Sequence, residues 1–189
     1  MSQEPKIEER AAQHYAGIQA TVPMGGISAA VDGAFPELFG WLAGTGTAPA
    51  GPPFIRFLVI DMEALLQLEL GVPVAAPVTG TERIRPGVLP AGRYLVLRHT
   101  GPYDGPDGLI PANAALQQWA QDHGLEFDMK DTPEGGAWAS RFEQYITDPS
   151  AEPDPARWET DVAYLLDSAV RRRLPSFQDS AVAPGGYRW

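Results

Sequence analysis

The chain has 189 residues, 44% hydrophobic and 20% charged, which is enough apolar material for one packed domain or two small halves sharing a core. A formal net charge of −10, from 24 acidic against 14 basic residues, repels phosphate backbones and argues against nucleic-acid binding. With no cysteine, disulfides, thiolate nucleophiles and thiolate zinc sites are excluded together. The N-terminal MSQEPKIEERAAQ is charged and has no apolar leader core, and no apolar run approaches the ~18 residues that a spanning helix needs. A cytoplasmic protein is expected.

The first strand ends YAGIQATVPMGG (15–26) in a Pro-and-Gly turn. Ile27, Val31, Phe35, Leu38 and Leu42 then fall on one helical stripe, with Pro36 either kinking the helix or opening its main part. After a loose GTGTAPAGPP come two strands, FIRFLVI (54–60) and ALLQLELGVPV (64–74), joined by Asp61-Met62-Glu63. TERIRPG supplies a short linking strand. YLVLRHTGPYDG (94–105) then resembles the first strand at a constant shift of 79: Tyr15 meets Tyr94, Thr21 meets Thr100, Pro23 meets Pro102 and Gly26 meets Gly105. A second helix follows, with Pro111 in its first turn, Ala112, Leu116, Trp119 and Ala120 on its stripe and Gly124 at its cap. DTPEGGA reads as loose chain before two more strands, ASRFEQYI (139–146) and RWETDVAYLL (157–166), joined by DPSAEPDPA.

Both halves therefore read strand–helix–strand–strand. The expected fold is α+β, a tandem βαββ repeat with pseudo-twofold symmetry, antiparallel sheets with helices on one face, and a ligand cleft between the halves. A single domain over 5–168 is expected, with half one at 5–78, half two at 79–168 and a tail at 169–189. The bare faces of the two units are expected to be buried or shaped against each other.

RFEQYITDP (141–149) poses the functional question, because Glu143 sits mid-strand on the same face as Tyr145. A strand interior disfavours a carboxylate unless that face is wet, paired or built to meet a cation. Arg141, two residues away, is the simplest partner. LPAGRYLVLRHTGPYDG (89–105), the helix through Trp119, FEQYITDP (142–149) and WETDV (158–162) resemble the GyrI-like domains, also called AraC-type effector-binding domains. PPFIRF and ELGVPV match the same pattern more weakly, and the resemblance covers roughly residues 5–167.

The resemblance implies a cavity between the halves that takes bulky, often cationic aromatic compounds, with aromatic walls and a glutamate in the F/Y-E-x-Y strand. That glutamate is Glu143 here, with Tyr145 beside it. A glutamate position in the last strand is Asp161 here, a shorter acid less suited to charge matching. Trp138 and Trp158 flank Glu143 along the chain, Phe57 faces them by pseudo-symmetry, and Phe39 completes the candidate wall. For Tyr103 a place at the cavity mouth competes with a turn that the fold itself requires. A cation over such rings gains roughly 0.5–2 kcal/mol per good contact.

The resemblance also implies a stand-alone member, since little chain is left for a DNA reader. Arg171-Arg172-Arg173 reads as a solvated helix end. His14, His99 and His123 are scattered, and Gly44-Thr45-Gly46 lacks the strand–GxxxxGK–helix context of a phosphate loop. No metal or cofactor is expected. The expected partners are hydrophobic aromatic or cationic small molecules and a regulatory protein, with neither nucleic acid nor membrane. Two other readings stay open: a hydrolase of reactive cyclopropane-type toxins using Glu143, and a protein-interaction module.

Overall fold

The protein is described by a computed structural model at residues 3–61 and 63–168. Arg171-Arg172-Arg173 and the rest of the 169–189 tail lie outside the described residues. In chain order the elements are β1 (Lys6–Arg10), β2 (Gln13–Val22), α1 (Ile27–Thr45), β3 (Phe54–Ile60), β4 (Leu66–Pro73) and β5 (Ile84–Leu89). The second half contributes β6 (Gly92–Thr100), α2 (Leu109–Asp122), β7 (Met129–Thr132), β8 (Gly135–Trp138), β9 (Arg141–Tyr145) and β10 (Glu159–Leu165).

The two repeat segments lie on β2 and β6, as the shift of 79 requires. Eight strands form one antiparallel sheet in the order β1-β6-β10-β9-β3-β4-β2-β5, and the β7–β8 hairpin joins β3 through β8. The halves meet edge to edge, β3 against β9, with Ile55 opposite Glu143. This corrects the expected stacking of bare faces, because seam hydrogen bonds between β3 and β9 satisfy backbone groups that stacked faces would leave at open edges. The leading strands are exchanged: β1 pairs with β6, and β5 pairs with β2.

Each helix covers the same face of its own half. Leu38 and Leu42 of α1 pack with Ile18, Ile55, Leu68 and Leu70. Leu116 and Ala120 of α2 pack with Leu97, Val162 and Tyr164. Pro36 lies inside an unbroken α1, on its exposed side, so the carbonyl that loses its partner there is free to meet water. Gly46 ends α1 at φ 66°, and Thr47 N–H donates to the Leu42 carbonyl in a left-handed cap.

The opposite face carries four rings in a row across the seam. Tyr15 meets Phe54 at 5.0 Å, Phe54 meets Phe142 at 5.8 Å, and Phe142 meets Tyr94 at 5.7 Å. The row is nearly a palindrome, as a pseudo-twofold axis through the β3–β9 seam demands. Gly71 lets Phe54 lie flat there, since a Cβ at that residue would come within 2.3 Å of the ring.

Candidate functional site

Strand parity sets the site. Along β9, Arg141, Glu143 and Tyr145 point to the helix side, while Phe142 joins the ring row on the other side. Glu143 is buried at 7% exposure, and both hydrogen bonds to its carboxylate come from neutral donors. Asn113 Nδ2 of α2 donates to Oε1 at 2.7 Å, and the Tyr145 hydroxyl donates to Oε2 at 3.3 Å. Burial pushes the Glu143 carboxyl above its ordinary 4.5, opposed by the Asn113 bond, the Arg141 charge and the Tyr145 bond. Burial likewise holds Tyr145 well above the usual phenol value, so its hydroxyl stays protonated and donating.

Asn113 is the hub. Its Nδ2 also donates to the Leu109 carbonyl at 2.8 Å, and its Oδ1 accepts from the Tyr164 hydroxyl at 2.6 Å and from Arg141 at 3.4 Å. Gln117, one turn on, donates to Tyr164 at 3.3 Å. Two donors and two lone pairs are thus all used, and this fixes which way the amide faces.

Two aromatic groups flank this network. Tyr103 packs on Tyr145 at 5.2 Å and on Trp158 at 4.6 Å, while the Trp158 indole N–H donates to the Glu152 carbonyl at 2.7 Å. On the other side, Trp138 and Phe127 meet the Tyr164 ring at 5.1 and 5.0 Å. The Arg141 guanidinium carbon stands 4.6 Å from the Tyr164 centroid, 4.9 Å from Trp138 and 5.4 Å from Phe57. Of the residues singled out from sequence, Glu143, Tyr145, Trp138, Trp158, Phe57 and Tyr103 gather on the helix side of the seam.

Two others do not join them. Asp161 shares a strand face with Ala163 and Leu165, on the opposite side from Glu143, where it is ion-paired with Arg98 and lies 3.8 Å from Arg10. Phe39 lies on the solvent flank of α1, 40% exposed, with its ring 6.4 Å from Phe35. Asn113 and Tyr164 escaped the sequence reading, although an Asn three residues before Leu116 on an apolar helix stripe is a usable signal of a buried polar contact.

A groove of about 740 Å³ opens between α2 and the β7–β8 hairpin, lined by Gln117, Phe127, Met129 and Trp138 among others. A second hollow of about 380 Å³ lies on the far side of the sheet, where Arg10, Pro52, Tyr94 and Phe142 meet. Glu143 lines neither, and only the first shares a wall, Trp138, with the aromatic residues around it. Among the described residues, no group of three or more His, Asp or Glu side chains is placed to hold a metal ion, and no helix is long and apolar enough to cross a membrane.

The chain superposes on EcmrR in its DNA complex with a TM-score of 0.67 at 22% identity, over 88% of this chain but 57% of that one. The EcmrR C-terminal domain alone matches with a TM-score of 0.64 at 19% identity, over 87% of this chain and 97% of that one. SAV2435 bound to tetraphenylphosphonium matches at 0.56 and 9% identity, over 90% and 98% of the respective chains. A hydrolase from Listeria innocua matches at 0.56 and 15% identity, over 87% and 92%. At these identities the likeness is one of fold. No curated protein matches the chain in sequence. The profile of the GyrI-like small molecule binding domain, however, matches residues 3–164, from ahead of β1 almost to the end of β10. With both helices and the tandem sheet inside that match, the chain belongs to the GyrI-like small-molecule binding domain family.

Proposed function

We propose that this protein binds bulky, hydrophobic aromatic cations on the helix side of the seam, and so sequesters or senses them. One observation carries the reading: a buried carboxylate, hydrogen-bonded by neutral donors only, one of them Tyr145, lies on the sheet face that also gathers the rings of Tyr103, Trp158, Trp138 and Phe57. A buried charge held in that way is costly on its own, and an incoming cation offsets the cost. Ring faces tolerate many ligand shapes, which suits broad recognition.

Tetraphenylphosphonium, triphenylphosphine oxide and a Glu143→Gln variant test this. The variant keeps the shape and removes the charge. A charge-assisted contact is worth roughly 1.5–3 kcal/mol, so phosphonium affinity is expected to fall about 10- to 100-fold while the neutral oxide loses little. Equal losses for both ligands would show that Glu143 only supports the fold. Phosphonium affinity in the wild type is also expected to rise with pH, because the bound cation favours the carboxylate that burial disfavours.

A second reading, hydrolysis of reactive ring-bearing toxins, draws on the same raised carboxyl, since a base with an elevated pKa is suited to activating water near neutral pH. Mass analysis of recovered ligand separates the two. Turnover that Glu143→Gln abolishes while binding persists would favour the enzyme.

A further inference from the structure

We infer that Arg141 is a tethered cation occupying the aromatic cage of Phe57, Trp138 and Tyr164, and that it sets ligand specificity by competing with cationic ligands for those ring faces. The inference rests on the binding reading above but concerns a residue that reading does not use. The guanidinium is ringed by three aromatic faces at 4.6–5.4 Å. Its hydrogen bonding is thin: one long bond from a terminal nitrogen to Asn113 Oδ1 at 3.4 Å, while the buried Nε has no hydrogen-bond partner. Arginine has five N–H donors and ordinarily places them in forked pairs with carboxylates. Here the rings, together with the through-space attraction of Glu143, hold the group instead.

That is the chemistry of a cation–π cage whose cation belongs to the protein. A ligand cation approaching Glu143 finds the nearby ring faces taken and a positive charge beside them. Exchange of one cation for the other leaves the charge of the cage unchanged, so Arg141 lowers cation affinity without abolishing it. Trp138 forms a wall of both the groove beside α2 and the cage.

Arg141→Met removes the charge and the planar face while filling similar length. Arg141→Lys keeps the charge but loses the stacking plane. Binding of tetraphenylphosphonium, triphenylphosphine oxide and tetraphenylborate is measured by calorimetry at pH 8.5, because losing the Arg141 charge makes Glu143 harder to ionise and the higher pH offsets that. In Arg141→Met, phosphonium affinity is expected to rise on the order of tenfold, the scale of one removed cation–π competitor. The neutral oxide stays within about twofold and tetraphenylborate weakens by a similar factor, while Arg141→Lys lies between wild type and Met for phosphonium. Phosphonium binding that is equal or weaker in both variants overturns the inference and leaves the binding function standing. A wild type and variants that bind none of the three overturn both. If Arg141→Met does not fold, the Lys variant decides alone, and phosphonium affinity no higher than wild type is the refuting result.

Discussion

The two halves share a frame and differ in what they place at its centre. Ile18 and Leu97 correspond in the repeat; Ile18 pairs with Leu70 and Leu70 with Ile55, while Leu97 pairs with Val162 and Val162 with Glu143. Ile55 and Glu143 are therefore equivalent positions, and they also face each other across the seam. The same ladder matches Phe57 with Tyr145 and Val72 with Tyr164. Matching the buried Ala34, Leu38 and Leu42 of α1 to Ala112, Leu116 and Ala120 of α2, Phe35 stands where Asn113 does. Half one is dry at each of these positions, and half two carries a carboxylate, an amide and two phenols. A duplicated scaffold has kept one copy as packing and furnished the other with polar groups, and the packed copy supplies the wall against which those groups work.

The sharpest way to break the comparison is to give half one the charge of half two. Ile55→Glu would place a second carboxylate opposite Glu143 in a position 1% exposed and lined by Leu38, Leu42 and Leu70. An uncompensated buried charge costs about 3–5 kcal/mol, so urea unfolding at pH 7.5 should show a loss of that size, partly recovered on acidification. A loss below about 1 kcal/mol would mean that the halves differ less than their packing indicates.

Removing the hub comes next. Asn113→Ala strips Glu143 of its short donor and Tyr164 of its acceptor, so a loss of about 1–3 kcal/mol in the same measurement is expected. A change within about 0.5 kcal/mol would show that the network carries no stability.

The smallest effect is a slope. The folded Glu143 carboxyl binds its proton more tightly than the unfolded one at 4.5, so its penalty is absent below that pH. Stability then declines as pH rises from 4.5 through the raised folded value, and is level beyond it. Glu143→Gln lacks that decline. Urea midpoints for wild type and variant at pH 4, 6 and 8 should therefore diverge in the variant's favour with rising pH, and parallel curves would contradict the burial assigned to this carboxylate.

The repeat and most of its elements are legible because apolar periodicity and Gly/Pro punctuation are local signals. Three strands are not. KIEER forms β1 without any apolar alternation, since its strand character comes from pairing with the edge of β6. The MKDT and GGAW segments form a hairpin in chain that composition alone reads as loose. The joining of the halves through β3 and β9 is a long-range choice that no window of sequence records. Glu143 and Tyr145 share one face because strand parity is readable from sequence, while Tyr103 and Trp158, which lie outside the strands, join them through ring packing. Asp161 does not, since the face it takes depends on its register with Gln144 and Arg98, which only the assembled sheet fixes. Phe39 shares its helix with the stripe residues but not their face.

The exchanged leading strands bear on how the chain is made. β2 pairs with β4 early, yet its other edge stays open until β5, ending at Leu89, has emerged, and β1 has no partner until β6 follows at Gly92–Thr100. At about 5–20 residues per second on a ribosome, the 16 residues from Pro73 to Leu89 leave the outer edge of β2 unpaired for about 1–3 seconds after β4 has emerged. A break between residues 78 and 79 would leave each fragment carrying the strand that closes the other's sheet, so the two pieces are expected to recover structure only when mixed. The duplication is thus tied by its own ends, and the seam at Glu143 is assembled only once β9, ending at Tyr145, has followed.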